Sequence, residues 1–186
     1  MFEEIIPSLK LTLLTFLLCG LAYPLLLTGI SQTFFPYQAN GSLIKGKDLP
    51  LGSALVGQKF VGSAFFQGRV SSIDYKAESS GSSNYGPTNR ALFDRIASDS
   101  IVLRKENPSI GKRIPVDLLT QSGSGLDPDI TPASALIQVP RVAKARGMRE
   151  EEVRRLVDRN TENPLLFGER RVNVLKLNLA LSGFER

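Results

Sequence analysis

The residues of this chain best suited to chemistry lie in two hydroxyl- and glycine-rich stretches. One runs Ala77-Glu78-Ser79-Ser80-Gly81-Ser82-Ser83-Asn84-Tyr85-Gly86-Pro87-Thr88-Asn89, and the other runs Thr120-Gln121-Ser122-Gly123-Ser124-Gly125-Leu126-Asp127-Pro128-Asp129. Each precedes an expected helix start, where exposed backbone amides and the helix dipole can hold an anion such as phosphate. Neither has the Gly-x-x-x-x-Gly-Lys-Ser/Thr spacing, and Gly123-Ser124-Gly125 falls short of a dinucleotide fingerprint. The plainer reading is a pair of ordered turns whose glycines supply positive φ. Asp127 and Asp129, with Asp117 and Glu78, are the carboxylates available for a hydrolytic pair. In a turn, however, Asp127 more often bonds its own backbone, and Asp129 sits near the cap of the next helix. Oxygens of both loops could also collect a hard cation, but no ligand spacing specifies one, and no metal site is assigned.

Composition removes other chemistries. The chain has no histidine, which excludes a Ser-His-Asp triad, a Cys-His pair and a His-ligated zinc. Its single cysteine, Cys19, lies in an apolar run, which excludes an internal disulfide and thiol catalysis in the polar part. No tryptophan occurs, and 23 basic against 18 acidic residues leave a net charge of only +5. That excess is scattered and suits solubility or anionic head groups better than nucleic acid, which is not expected as a partner.

Something must position these loops, and the first element is a membrane segment. No charged residue occurs between Lys10 and Lys45. Within that gap Leu11–Ile30, about 20 residues, makes a helix about 30 Å long, the thickness of bilayer hydrocarbon. A secretory signal would be shorter and end in a small-x-small site, whereas Gly20-Leu21-Ala22 stands mid-run. Residues 1–10 form a short tail, 11–30 a retained span and 31–186 a polar domain. Pro24 removes one donor and clashes with the carbonyl of Gly20, so a kink is expected, with Thr28 and Thr15 back-bonding freed carbonyls. Gly20, Tyr23, Pro24 and Thr28 are the candidate surface for packing a second helix.

The polar part reads as a mixed α/β (α+β) domain. Ser53–Phe60 and Ile114–Leu119 are expected strands, and Val172–Leu181 alternates apolar and polar like a half-buried strand. Helices are expected at Arg90–Lys105, capped by Thr88 or Asn89 and with a stripe of Leu92, Phe93, Ile96, Ser100 and Leu103 at helical spacing, and after Thr131-Pro132, with Pro140 dividing the second region. Arg149–Asn160 is amphipathic through Val153, Leu156 and Val157, with Glu150–Arg154 and Glu151–Arg155 spaced as ion pairs.

Long ordered runs carry a resemblance. They include Gly20-Leu21-Ala22-Tyr23-Pro24, Gly52-Ser53-Ala54-Leu55-Val56-Gly57-Gln58, Phe66-Gln67-Gly68-Arg69, Ser80 through Asn89, Pro115-Val116-Asp117-Leu118-Leu119, Ser122 through Pro128, Gln138 through Arg146, and Arg171 through Leu181. Over nearly its whole length the chain resembles the C-subunit family of the Kdp potassium-transporting P-type ATPase. The family pattern usually has Pro at Val70, Gly at Ser82, His at Asp129 and Pro at Arg170, and the Pro164–Arg170 region looks shortened. The resemblance implies a non-catalytic subunit of the cell membrane, single-pass, with no cofactor of its own. ATP acts through the complex and potassium is the transported ion. The implied partners are a channel-like potassium-binding A subunit, an ATP-hydrolysing B subunit, a small peptide subunit and membrane lipid. The C subunit is described as a catalytic chaperone that raises the ATP affinity of the B subunit. Because Ser122-Gly123-Ser124-Gly125 resembles the signature loop of ATP-binding-cassette proteins, Gln121, Ser122, Gly123, Ser124, Gly125 and Asp127 would be the nucleotide-associated group. Ser80, Gly81, Asn84, Gly86, Thr88 and Asn89 would be contacts from the other loop. The family architecture also implies a polar domain outside the membrane, where cytosolic ATP does not reach it. The alternatives are an extracytoplasmic binding module for an anionic ligand and a membrane-anchored carboxylate hydrolase.

Overall fold

The computed structural model describes residues 2–46, 49–111, 113–164 and 167–184. They form two compact units, Met1–Leu51 and Gly52–Arg186.

The first unit is dominated by one long helix. Glu4–Phe34 is continuous and apolar enough to cross a membrane, with mean hydropathy 2.0 over its best window. α1 (Phe2–Thr15) and α2 (Tyr23–Phe34) are joined by a π-helical segment, Phe16–Ala22. This is how the chain accommodates Pro24. The proline cannot donate to Gly20, and the widened register has the Tyr23 N–H reaching back five residues to the Leu18 carbonyl. As expected, Thr28 Oγ1 donates to the Pro24 carbonyl (2.8 Å) and Thr15 Oγ1 to the Leu11 carbonyl (3.0 Å). A short α3 (Pro36–Ala39) follows, then β1 (Leu43–Lys45), paired with β2 (Pro50–Ser53).

The second unit packs helices on a three-stranded antiparallel sheet. Its helices are α4 (Arg90–Glu106), α5 (Pro132–Leu136), α6 (Val139–Arg146), α7 (Glu150–Arg159) and α8 (Val174–Leu181). Its strands are β3 (Asp129–Ile130), β4 (Thr161–Glu162) and β5 (Arg171–Asn173), in the order β3-β5-β4, with Ile130 and Thr161 both opposite Val172. Phe66, Val139, Val142, Val153, Val157, Val172 and Leu177 are fully buried between these elements. Local signals place several element ends where the sequence does. Asn89 caps α4 by accepting from the Ala91 N–H (2.9 Å), Thr131 caps α5, and Pro140 opens α6. α7 buries Val153 and Val157, and Glu150 pairs with Arg154 at 3.6 Å.

Three expected strands are corrected. Beyond β2 the chain turns at Ser53, whose Oγ accepts from the Leu55 N–H, and Ala54–Phe60 holds no strand. Val116–Leu118 is a 3₁₀ turn, because Asp117 is committed to α5: its carboxylate accepts from the Thr131 N–H (2.8 Å) and the Ser134 hydroxyl. Val174–Leu181 is a helix. Asn173 ends β5 and accepts from the Lys176 N–H (3.1 Å), capping α8, and Val174, Leu177, Asn178 and Leu181 then face inward at helical spacing. In α4 the expected stripe is not buried, and Phe93 stands 58% exposed. The expected shortening at Pro164–Arg170 falls partly on residues 165–166, outside the described residues.

Asn178 also explains how the irregular segment Gly62–Gln67 enters the core at Phe66. Its amide accepts from the Phe66 N–H (2.8 Å) and donates to the Phe66 carbonyl (2.9 Å). Gln138 does the same for Gln67, at 2.8 and 3.1 Å. Arg141, 9% exposed, donates to the Gly62, Ser63 and Phe65 carbonyls and to the side chains of Asn107 and Gln138. Burial pulls its pKa down, opposed by the Glu106 carboxylate. Asn178→Leu keeps the branched shape with some added bulk and orphans both backbone groups of Phe66. We expect a loss of about 2–5 kcal/mol, read as a lowered urea midpoint of the full chain in detergent.

Candidate functional site

The two serine-glycine loops, far apart in sequence, meet. Gly81 N–H and Ser80 Oγ donate to the Ser124 carbonyl (2.8 and 3.2 Å), and Ser71 Oγ donates to the Gly125 carbonyl (2.7 Å). Val70 bridges Gln121 in parallel fashion. The turn is tied internally as well: Ser122, 3% exposed, accepts from the Gly125 N–H (3.0 Å) and faces the Ser124 hydroxyl at 3.1 Å. Gly125 is required here. At φ +70° an added Cβ would lie 2.7 Å from Ile73 and 2.8 Å from the Gly81 carbonyl. Gly57 is required on the other flank, where its N–H donates to the Leu126 carbonyl (2.7 Å) and a Cβ would lie 2.5 Å from the Asp127 carbonyl oxygen.

A charged clasp ties the segment before the first loop to the second loop. Arg69 meets Asp127 at 2.8 Å and also donates to the Gln121 carbonyl at 3.2 Å and to Thr120 Oγ1 at 3.3 Å. The Tyr75 hydroxyl donates to the Arg69 carbonyl. Burial first, and then the Asp127 charge, push the Tyr75 phenol up to about 12, with Arg69 opposing.

The carboxylates are occupied by the fold. Asp127 Oδ1 accepts from the Asp129 N–H (3.0 Å), closing the turn expected of it. Asp129 sits on β3 rather than at the helix cap. It accepts from Asn173 (3.1 Å) and faces Arg171 at 3.5 Å, and burial raises its pKa. Arg171 continues to Glu162, which Lys176 also meets at 2.7 Å; that hydrogen bond is the main cause holding the Glu162 carboxyl down. Asp117 belongs to the α5 cap, and Glu78 is exposed on a 3₁₀ turn. These groups form no acid–base pair. The serine hydroxyls bond to one another and to backbone, with no basic side chain described against them.

The expected help from helix dipoles is also corrected, since both amino termini are capped by their own side chains. Asn89 occupies the start of α4, and Thr131 occupies that of α5, with residues 126–131 separating it from Gly125. What the turn does present is the N–H groups of Gly123 and Ser124. Both residues are exposed, no described partner takes these donors, and open space surrounds Gly123. In the other loop only Ser80 and Gly81 reach the second turn. Asn84 (φ 49°) bonds Ser82, the Gly86 carbonyl accepts from Asn89, and Thr88 is exposed. Residue chemistry alone did not single out Arg69 or Tyr75; the Gly68-Arg69 pair stood out only within a resemblance. On the first unit Gly20, Tyr23, Pro24 and Thr28 are all exposed along the helix.

Comparison with known proteins gives a family for this arrangement. Residues 5–183 match the family model described as KdpC: K+-transporting ATPase, c chain. The potassium-transporting ATPase KdpC subunit of Rhodopseudomonas palustris (strain TIE-1) is 51% identical, over 97% of this chain and 97% of its own. That of Gloeobacter violaceus is 49% identical over 99% and 98%, and that of Caldanaerobacter subterraneus 50% over 97% and 95%.

The Tyr75 clasp carries a pH signature. Folding holds this phenol protonated, so its contribution is complete below pH about 10 and is lost as the pH rises toward about 12. The difference in phenolate absorbance between the chain and Tyr75→Phe should place its midpoint near 12. A midpoint at the ordinary value for tyrosine would show the phenol to be solvated.

Proposed function

This chain belongs to the KdpC family, the c chain of K+-transporting ATPases, and from that premise we propose that it is the accessory subunit of a high-affinity, ATP-driven potassium importer. The observation that carries the reading is the reach of the family match, which takes in both the apolar helix and the polar unit in one alignment. The subunit itself is non-catalytic. Its candidate residues are spent on holding two loops together, and the chemistry of the complex resides in other chains.

In this reading the helix surface of Gly20, Pro24 and Thr28 packs in the membrane against a polytopic partner. The polar unit stands outside the membrane over a channel-like potassium-binding subunit and steadies the assembly. It raises the ATP affinity of the ATP-hydrolysing subunit at a distance, through that assembly, and a small peptide subunit completes the complex. A second reading, an anion-binding module, draws support from the open N–H groups of Gly123 and Ser124. Titration calorimetry of the full chain in detergent with ATP and with inorganic phosphate tests it; saturable heat with either would favour that module.

Two measurements test the main proposal. Mild detergent extraction followed by affinity capture of the chain should bring down a channel-like membrane protein and an ATPase, and recovery of the chain alone would sink it. For topology, Ser122 is too buried to report, so a cysteine at exposed Ser83 in a Cys19→Ser background is the informative probe. Labelling of intact cells by an impermeant maleimide is expected. Protection until lysis would place the unit in the cytosol and reopen direct contact with ATP.

A further inference from the structure

Beyond the end of the membrane helix, within the first unit, Pro36, Tyr37, Asn40, Leu43 and Lys45 line a cleft of about 470 Å³, within the range of small-ligand sites. We propose that this cleft seats the head group of an anionic glycerophospholipid, its phosphodiester on Lys45. The inference rests on Leu11–Ile30 being the membrane span. Phe34 then lies about 6 Å past Ile30 along the helix, inside a head-group layer about 5–8 Å deep. Phe35 breaks the helix there (φ −133°, ψ 49°). Phe34, Phe35 and Tyr37 are 71, 57 and 39% exposed, as befits rings at a membrane interface.

The polar groups of the cleft select the ligand. Asn40 spends its N–H groups on Gln32 Oε1 and the Pro36 carbonyl, and the Tyr37 hydroxyl donates to the Ser42 carbonyl. Lys45 has no ion pair among the described residues, and the sequence holds no carboxylate from Ile5 to Lys47. Among the described residues the cleft therefore offers one ammonium without an ion pair, one amide oxygen and apolar walls from Pro36 and Leu43. A phosphodiester whose head group carries hydroxyls satisfies all three. A zwitterionic head group brings a cation of its own that Lys45 repels.

Native mass spectrometry of the full chain in mild detergent, titrated with phosphatidylglycerol or phosphatidylcholine, tests this. Phosphatidylglycerol should be retained preferentially. Lys45→Ala should weaken its retention about fivefold, the effect of one juxtamembrane cation, and Lys45→Arg should restore it. Leu43→Trp, which fills the cleft and keeps the charge, should weaken it equally. Equal retention of the two lipids, or wild-type behaviour of Lys45→Ala or Leu43→Trp, overturns the proposal, the last result meaning diffuse attraction. In the assembled complex a photoreactive side chain at residue 43 should yield a lipid adduct, and an adduct to polypeptide alone overturns it too. Resistance to alkaline carbonate extraction keeps the membrane span whatever the lipid result, whereas extraction would overturn span and cleft together.

Discussion

The second unit depends on how buried backbone is satisfied where there is neither helix nor strand. Gly62–Gln67 enters the interior at Phe66, which is wholly buried, while Gly62 and Ser63 are exposed. A backbone group buried there would cost on the order of 1–3 kcal/mol if left without a partner. Three side chains supply the partners. Asn178 from α8 and Gln138 from the α5–α6 junction each present a donor and an acceptor to one residue, and the Arg141 fork gathers three carbonyls. Arg146 adds the Ala64 carbonyl (2.6 Å), reaches the Leu181 carbonyl near the end of α8, and lies 5.1 Å over the Phe65 ring. An irregular segment thus does the work of a central strand, and α6 and α8 are held in register by what they give it.

The loop pair hangs from the same segment. Arg69 follows Gln67 by two residues, so the amide clamp that fixes Gln67 also sets where the guanidinium reaches Asp127, Thr120 and Gln121. From there the turn at Ser122–Gly125 is closed by its own hydroxyls and by Ser71, Ser80 and Gly81. Serines and aspartates that could serve chemistry are spent on architecture. The Gly123 and Ser124 amides are left without a described partner, on exposed residues of the turn. That division of labour suits a subunit whose partners carry the reaction.

How much of this could be read in advance varied with the range of the interaction. Caps and breakers act within a turn, so Asn89, Thr131, Pro140 and the apolar stripe of α7 stood where their local chemistry puts them. Thr15 and Thr28 back-bond to carbonyls four residues before them in the helix for the same reason, though neither takes the Gly20 carbonyl. The errors were errors of context. Apolar residues at 175, 177, 179 and 181 fit a period of two, yet Asn178, which would have pointed outward on a strand, finds its partners inside. Ile114–Leu119 has the composition of a strand, but Asp117 is drawn to a helix start fourteen residues on. Phe93 matched a buried stripe that α4 does not bury.

By itself, the sequence determined the long apolar helix, the mixed fold class, the helix caps and the family, because each is written in local pattern or in long ordered runs of residue types. Tertiary structure decided that the two serine-glycine loops are one construction, that Arg69 and Tyr75 hold it, and that Pro24 is met by a π-helical segment. Those outcomes rest on hydrogen bonds between residues as many as 58 positions apart, and on backbone register. No local pattern encodes which distant carbonyl a buried amide will find.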